Sequence, residues 1–248
     1  MAAQQRRLTK REKRILRQQG VLGEESNLNF TVRSDIKPKT ENQAVAFSSW
    51  KNGHNVFLHG IAGTGKTFLA LYFAFHEVFK RDTDHKKVYI IRSTVSTRNQ
   101  GFMPGSQKQK EAVYEEPYPP ICADIFGRDD AYHILKQKNK VEFRSTSFLR
   151  GVTFDDCIIV VDEVQNLSDG ELHTIMTRVG ENARIIFAGD IKQDDLTSAR
   201  FNEQSGIADF MRIINNMDEF DFIEFYADDI VRSQLVKSYI IERDRLGL

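Results

Sequence analysis

The stretch NVFLHGIAGTGKTFLALYFAF, at residues 55–75, decides the fold. Its first five residues, 55–59, predict a β-strand, and the apolar pattern that follows predicts a helix from Lys66 to about Lys80. Between the two, residues 60–67 match the P-loop pattern GxxxxGK[ST]. A glycine turn without a ligand is the simpler interpretation, but the strand and the helix lie where a phosphate site needs them. The stretch therefore predicts a nucleotide site.

Each position of the P-loop pattern has a chemical reason. The glycines let backbone N–H groups turn toward a polyphosphate, and the positive end of the following helix points to the same place. We expect Lys66 to reach the β- and γ-phosphates and the Thr67 hydroxyl to ligate Mg²⁺. The residues of this loop that are predicted to bind the nucleotide are Gly60, Ile61, Ala62, Gly63, Thr64, Gly65, Lys66 and Thr67.

A pair of acidic residues follows a second apolar run. Residues 158–161 predict a strand that is buried on both faces, and Asp162 and Glu163 come directly after them. An acid at the carboxyl end of a parallel strand faces the ligand crevice. We expect Asp162 to hold the hydration shell of Mg²⁺, and Glu163 to orient or deprotonate the attacking water. Two solvated loop acids are the alternative, which the P-loop disfavours. ATP is favoured over GTP because the sequence has no NKxD-type guanine signature.

Strands and helices alternate around these two motifs. Strands are predicted at 55–59, 87–91, 157–161, 184–188 and 222–226, and further helices near 41–51, 169–179, 206–217 and 229–243. This alternation predicts an α/β fold with a mostly parallel sheet and helices on both faces. Residues 98–150, which are rich in Pro, Gly and charge, are interpreted as an insertion-like loop region with weak secondary structure.

The composition hides a charge asymmetry. The chain has 248 residues, of which 40% are hydrophobic and 28% charged, and its 35 basic residues balance 35 acidic ones. The first 20 residues nevertheless carry a net charge of +6, which leaves −6 on the remainder. We predict a basic N-terminal arm and linker over residues 1–35 and an ATPase domain over 36–248. The arm could bind phosphates, form a solvated helix or serve in assembly.

Several classes of protein are disfavoured by the sequence. The longest apolar run has eight residues, at 68–75, which is too short to span a membrane. The first 20 residues lack the apolar segment of a secretory signal. Cys122 and Cys157 have neither disulfide-framework nor zinc-site spacing. We expect a cytoplasmic protein, in the host cytoplasm if the source is viral, with no membrane partner.

Three glutamines narrow the class of NTPase. Gln165 completes the sequence DEVQ, Gln193 follows the fourth predicted strand, where it could sense the γ-phosphate, and Gln43 lies upstream of the P-loop. Gln43 is placed like the adenine-reading glutamine of many helicases. Together these features resemble the nucleotide half of superfamily 1 helicases.

A closer resemblance covers residues 36–245. Over this range the chain is similar to the PhoH-like family, especially its short phage-type members. The motifs that carry the resemblance are the P-loop, Arg92, GFMPG at 101–105, EPY at 116–118, SFLRG at 147–151, DEVQN at 162–166, TRVG at 177–180, GDIKQDDL at 189–196, SGI at 205–207 and VR at 231–232. The resemblance implies a single RecA-like ATPase domain that is linked to RNA metabolism or nucleic-acid remodelling. Ser93 departs from the proline that many relatives have after the arginine.

A helicase that acts as a monomer closes two RecA-like domains around ATP, whereas this chain has one. The residues on the second side of the ATP site would then come from a neighbouring subunit. We therefore predict a homo-oligomeric ring, with a hexamer as the first candidate. Arg232 is the first candidate for an arginine supplied in trans as a catalytic group, and Arg178 is the second. A surface salt bridge is the alternative role for either arginine.

Single-stranded RNA or DNA is the predicted partner. Nucleic-acid contacts need cations and aromatic platforms, although either aromatic residue in this set could instead belong to the core or to an interface. The candidates are Arg92, Arg98, Phe102, Lys108, Lys110, Phe148 and Arg150. The favoured function is an ATPase or helicase-like motor that nucleic acid stimulates. The alternative is an ATP-operated binding or assembly switch without unwinding, and a small-molecule kinase is disfavoured.

Overall fold

Six parallel strands form the sheet at the centre of the computed structural model, which describes residues 30–93, 112–149, 151–190 and 206–246. The strands are β1 (Asn55–Gly60), β2 (Lys87–Arg92), β3 (Val141–Ser145), β4 (Cys157–Asp162), β5 (Ala183–Gly189) and β6 (Phe220–Phe225). Their order across the sheet is β3-β2-β4-β5-β1-β6, and every neighbouring pair is parallel. The predicted fold class, an α/β RecA-like domain, is confirmed.

The strand order places the two predicted motifs close together. β5 lies between β1 and β4, so the loop after β1 and the acids after β4 flank the end of the same strand. All six residues of β4 are buried, which agrees with its unbroken apolar sequence. The crevice at the carboxyl ends of these strands is where α/β sheets bind their ligands.

Seven helices lie wholly within the described residues. They are α1 (Glu41–Lys51), α2 (Lys66–Val78), α3 (Tyr118–Phe126), α4 (Ala131–Gln137), α5 (Asp169–Met176), α6 (Ile207–Ile214) and α7 (Gln234–Arg245). Short 3₁₀ turns lie at Thr146–Phe148, Val164–Asn166 and Ala227–Asp229. None of the described helices combines the length and apolar character that a membrane span requires.

The core fills both faces of the sheet. On one face, apolar residues of α5 and α6, among them Leu172 and Phe210, pack with Phe57 and Phe187 from the strands. The Phe187 and Phe210 rings meet edge to face, with their centroids 5.0 Å apart. Helix α2 contacts β4 and β5, and it is buried almost all round because it combines an aliphatic and aromatic sequence with a central position.

The interpretation of residues 98–150 as a region of weak secondary structure is wrong over the part that the structure describes. Helices α3 and α4 and strand β3 all fall within it. The prolines after Tyr118 occupy the first turn of α3, where a missing N–H costs nothing, so they begin a helix rather than break one. Strand β3 forms one edge of the sheet and alternates buried with half-buried residues, which weakens its apolar signal.

Smaller differences affect the ends of the predicted elements. Helix α7 begins at Gln234 rather than at 229, because the 3₁₀ turn Ala227–Asp229 precedes it. The last strand begins at Phe220, two residues earlier than predicted. The chain divides into two compact units, Met1–Thr31 and Val32–Leu248. The predicted domain start at residue 36 and the role of the basic arm stay predictions.

Candidate nucleotide site

The P-loop connects β1 to α2 through glycines with a positive φ, a backbone conformation that other residues rarely adopt. Gly60 has φ +114°, and a Cβ there would lie 2.2 Å from the Phe225 carbonyl oxygen on β6. Gly65 has φ +86° and is the N-cap of α2. Left-handed backbone of this kind costs glycine little. The loop can therefore turn tightly in front of the helix, whose first N–H groups form an anion-binding end.

Lys66 is the first residue of α2, and its side chain turns back toward the start of the loop. Its Nζ donates to the carbonyl oxygens of Gly60 and Ile61, at 2.6 and 2.8 Å. Burial lowers the pKa of Lys66, and the carboxylate of Asp190, followed by the two acids after β4, opposes that shift. The structure thus places the Lys66 ammonium group on the P-loop, within electrostatic reach of the three acids.

Asp162 is held on both of its carboxylate oxygens. The Thr67 hydroxyl donates to Oδ1 at 2.8 Å, and the Tyr118 hydroxyl donates to Oδ2 at 3.1 Å. Burial, and then the neighbouring Glu163 carboxylate, raises the pKa of Asp162 to about 6. The two residues that were predicted to hold a metal ion, Thr67 and Asp162, are therefore in direct contact.

The chemistry of this contact fits Mg²⁺. The Thr67 hydroxyl uses its proton on Asp162, so the lone pairs of its oxygen remain for a metal, and each carboxylate oxygen of Asp162 keeps acceptor capacity. Mg²⁺ takes one or two protein oxygens together with water and substrate phosphates. Within the described parts of the chain, no cluster of three or more His, Cys, Asp or Glu residues could hold a metal by itself. A metal shared with a nucleotide is the form that suits these residues.

Glu163 adopts a strained backbone. Its φ of +52° and ψ of +48° lie in the left-handed region, which few non-glycine residues occupy. The Gln165 Nε2 donates to Glu163 Oε2 at 2.6 Å, and the Gln165 Oε1 accepts from the Asp190 backbone N–H at 3.0 Å. Such strain persists where the surroundings fix it, commonly at functional sites. The side chain that was predicted to act on water is therefore fixed to the end of β5.

Gln43 supports the P-loop from α1. Its side chain is buried, its Nε2 donates to the Thr64 carbonyl oxygen at 3.0 Å, and its Oε1 accepts from the Lys39 N–H at 2.8 Å. The structure thus places Gln43 against the loop. Its predicted contact with adenine stays a prediction.

The two candidate arginines lie at different ends of the sheet. The Val231 N–H donates to the Gly63 carbonyl oxygen at 3.1 Å, and a Cβ on Gly63 would lie 3.2 Å from Cγ of Arg232. Arg232 therefore flanks the P-loop of its own chain. Arg178 accepts a backbone hydrogen bond from Phe154, in the segment that enters β4, and so lies at the amino-terminal edge of the sheet. Neither position tests a role in trans.

The predicted nucleic-acid residues separate into two groups. Arg92 is the last residue of β2, in register with Asp162, and it hydrogen-bonds the buried Tyr118. It therefore lies beside the candidate metal-site acid, and its predicted contact with nucleic acid stays a prediction. Phe148 is 48% exposed, just after β3. The predicted site residues that lie outside the described parts of the chain are Arg98, Phe102, Lys108, Lys110, Arg150 and Gln193.

Two side chains at the site were not predicted to act there. His59, the last residue before Gly60, lies in register with Gly189 and Glu224, and burial lowers its pKa. Tyr118 reaches the site from α3. Tyr118 belongs to the EPY motif of the family resemblance, but that motif does not indicate its partner, which is 44 positions away in the chain. His59 carries a weak signal, since a polar residue ends an apolar strand directly before the glycine loop.

Comparison with known proteins agrees with this geometry. A family model described as "PhoH-like protein" matches residues 35–242. A PhoH-like protein of Bacillus subtilis (strain 168) is 31% identical over 211 residues, which cover 85% of this chain and 64% of that protein. Protein PhoH of Escherichia coli (strain K12) is 28% identical over 82% of this chain and 56% of its own length. The chain thus spans less than two thirds of the length of either relative.

One solved structure supports the fold. The large terminase from a thermophilic bacteriophage superposes with a TM-score of 0.50 and 11% identity, over 82% of this chain and 50% of that one. At this identity the likeness concerns the fold alone. It agrees with a P-loop NTPase core in the residues that the structure describes.

Proposed function

The chain belongs to the PhoH-like family, and from that premise we propose that it is a magnesium-dependent ATP hydrolase. The observation that carries the proposal is the 2.8 Å contact between Thr67, of the P-loop helix, and Asp162, at the end of β4. This contact joins a phosphate-binding loop to an acid that suits a metal, with a second acid next in the chain. A glycine turn with a purely structural role would need neither the phosphate-binding loop nor either acid.

The roles of the residues follow from their places. Lys66 and the loop N–H groups would bind the β- and γ-phosphates. Thr67 and Asp162 would hold Mg²⁺, which neutralises phosphate charge when it is bound. Glu163 would orient a water molecule and accept its proton as the water oxygen attacks the γ-phosphorus. The bond from that phosphorus to the β,γ-bridging oxygen breaks, and ADP and inorganic phosphate leave. The bond from Gln165 keeps the Glu163 carboxylate from turning away.

ATP is the proposed nucleotide. The chain has no guanine-reading NKxD sequence, and Gln43 lies within reach of the loop at the side where α1 begins. The amide of Gln43 keeps one N–H and one acceptor lone pair after its two bonds to the backbone. These are the groups that could pair with an adenine edge.

We further propose that single-stranded RNA or DNA stimulates hydrolysis and that the active form is a homo-oligomeric ring, with a hexamer as the first candidate. Two observations support this extension. Phe148 exposes an aromatic ring just after β3, and exposed rings are platforms for bases. Arg178 lies at the edge of the sheet opposite its own P-loop, where it could face the site of a neighbouring subunit.

Steady-state phosphate release tests both the proposed ATP hydrolysis and its proposed stimulation by single-stranded nucleic acid. The rate is measured with Mg²⁺ and ATP, alone and with single-stranded RNA or DNA, and Glu163→Gln serves as the inactive control. We expect basal turnover in the wild type that rises several-fold with one polymer and is absent from the variant. A flat response with real turnover would favour an ATP-operated binding or assembly switch. Absence of turnover under every condition would contradict the hydrolase.

A further inference from the structure

The Tyr118 hydroxyl is the second proton donor to the Asp162 carboxylate. It lies 3.1 Å from Oδ2, whereas the Thr67 hydroxyl contacts the other oxygen, Oδ1. The side chain of Tyr118 is completely buried. A buried tyrosine hydroxyl normally finds one partner, and here the partner is a carboxylate that the Mg²⁺ chemistry needs in a fixed orientation.

Arg92 fixes the direction of the Tyr118 proton. The guanidinium hydrogen-bonds the Tyr118 hydroxyl, and guanidinium groups only donate. The hydroxyl oxygen is therefore the acceptor, and its single proton remains for Asp162. Arg92 and Asp162 are paired in the register of β2 and β4. The arginine, the tyrosine and the aspartate therefore form one short chain of hydrogen bonds.

The Tyr118 ring is held rigidly. Tyr118 is the first residue of α3, between Pro117 and Pro119, whose rings restrict the backbone on either side. Its own ring lies 6.0 Å from the Phe143 ring of β3, at an interplanar angle of 38°. The hydroxyl thus has little freedom to leave the carboxylate, and α3 is fixed to the end of β4 through it.

We propose that Tyr118 is a positioning residue for the Asp162 carboxylate, and that its hydroxyl aligns this carboxylate for a nucleotide-bound divalent cation. The proposal rests on the proposed function, since it concerns the same site. A purely structural role for Tyr118 is the competing explanation. The two differ in one respect: a positioning role acts only when the cation is present.

The experiment compares ADP binding with and without the metal. Calorimetry measures the ADP affinity of the wild type and of Tyr118→Phe in EDTA and in Mg²⁺, and electron paramagnetic resonance counts bound Mn²⁺ in the presence of ADP. The matched control is Tyr132→Phe, which removes a 2.8 Å hydrogen bond to the Glu115 carboxylate outside the site. Partners that orient a metal ligand typically contribute about tenfold to 100-fold in metal affinity.

We expect Tyr118→Phe to keep its ADP affinity in EDTA and to lose about tenfold or more of the Mg²⁺-dependent gain and of the Mn²⁺ affinity, while Tyr132→Phe behaves as the wild type. Equal losses with and without metal, or an unchanged metal response, would overturn the positioning role. A wild type whose ADP affinity ignores Mg²⁺ would instead contradict the magnesium dependence of the proposed function.

Folding of the variant is checked by its thermal unfolding midpoint without metal. Should Tyr118→Phe fail to fold, Arg92→Met replaces it, because methionine keeps most of the aliphatic length but removes the donor to the Tyr118 oxygen. The same metal-specific loss is expected from Arg92→Met. An unaltered Mg²⁺ response in a folded Arg92→Met protein would contradict the role of the hydrogen bonds from Arg92 through Tyr118 to Asp162.

Discussion

Gln165 holds the Glu163 carboxylate at 2.6 Å, and the same amide accepts the Asp190 N–H at 3.0 Å. A single side chain therefore connects the segment after β4 to the end of β5. Because Glu163 already has a left-handed backbone, its side chain has few other directions available. The geometry around the acid is set by its neighbours in space, not by its own conformational preference.

Gln165→Leu should lower kcat by about tenfold or more, because a misplacement of about 1 Å at a reacting group costs up to 100-fold in rate. Leucine has a similar volume but neither of the two hydrogen bonds. We expect ADP affinity to stay within about twofold of the wild type, since Gln165 does not touch the P-loop. Steady-state kinetics together with ADP calorimetry checks this. An equal loss of ADP affinity would mean that Gln165 supports the whole site instead.

Gly189→Ala should disturb the position of the Gln165 side chain from the end of β5. A Cβ on Gly189 would lie 2.3 Å from Gln165 Oε1 and 2.6 Å from Cγ1 of Val164. We expect a loss of about 1–3 kcal/mol in the free energy of unfolding, which is the usual cost of overpacking, together with lower kcat. Urea denaturation measures the first effect. The control is Gly170→Ala on α5, where a Cβ meets nothing within 4 Å, and its stability should not fall.

Gln43→Leu should weaken the binding of both ATP and inorganic tripolyphosphate, and that of ATP by the larger factor, because Gln43 supports the loop and is proposed to pair with adenine. The expected loss for tripolyphosphate is about fivefold to tenfold, because the variant leaves the buried Thr64 carbonyl oxygen without its 3.0 Å hydrogen bond. Tripolyphosphate has no base, so it reports on the loop alone. Competition binding with both ligands measures the two factors. Equal factors would contradict the adenine contact, and a loss confined to ATP would contradict the support of the loop.

His59 should make the stability of the protein depend on pH below neutrality. Burial lowers the pKa of His59 from its ordinary value of 6.5, so the unfolded chain takes up the proton first as the pH falls. The contribution of His59 is complete above pH 6.5 and is lost as the pH falls through the folded pKa. Urea denaturation between about pH 5 and 7 should show a shallower slope for His59→Gln than for the wild type. Equal slopes would contradict the shift.

Arg232 can be tested for action across a subunit boundary by mixing inactive proteins. Arg232→Ala and Lys66→Ala should each lack ATPase activity. If Arg232 serves a neighbouring site, as we expect from a ring, mixing the two variants creates sites with an intact P-loop beside an intact arginine, and activity returns. A mixture that stays inactive would mean that Arg232 acts on the P-loop it flanks in its own chain.

The sequence predicted the P-loop and its acids because their chemistry is local. Residues 60–67 are consecutive, and the acids directly follow an apolar strand, so spacing alone identified both. Their direct contact through Thr67 and Asp162 followed from the fold class, since both motifs stand at the carboxyl ends of parallel strands. The central, fully buried strand was predicted for the same reason.

The sequence could not assign Tyr118 or Arg92, because their roles depend on the register of β2 against β4. Arg92 was grouped with the candidates for nucleic-acid contact, and this register places it beside Asp162. Strand β3 was missed although its residues alternate between buried and half-buried, because a pattern of only five residues is a short signal. The helix at Tyr118 was missed because its prolines were interpreted as loop residues, although a first helical turn accepts them.

The two outer strands, β3 and β6, have a consequence for assembly. In the described part of the chain no further strand pairs with either of them, so each has one row of backbone groups without a strand partner there. Charged side chains accompany both rows: Glu142 and Arg144 on β3, and Asp221 and Glu224 on β6. Charges on an outer strand discourage the addition of a foreign strand. Copies of this protein should therefore meet through loops and helices, and its sheet should resist the fibrous, strand-by-strand growth that exposed edges otherwise invite.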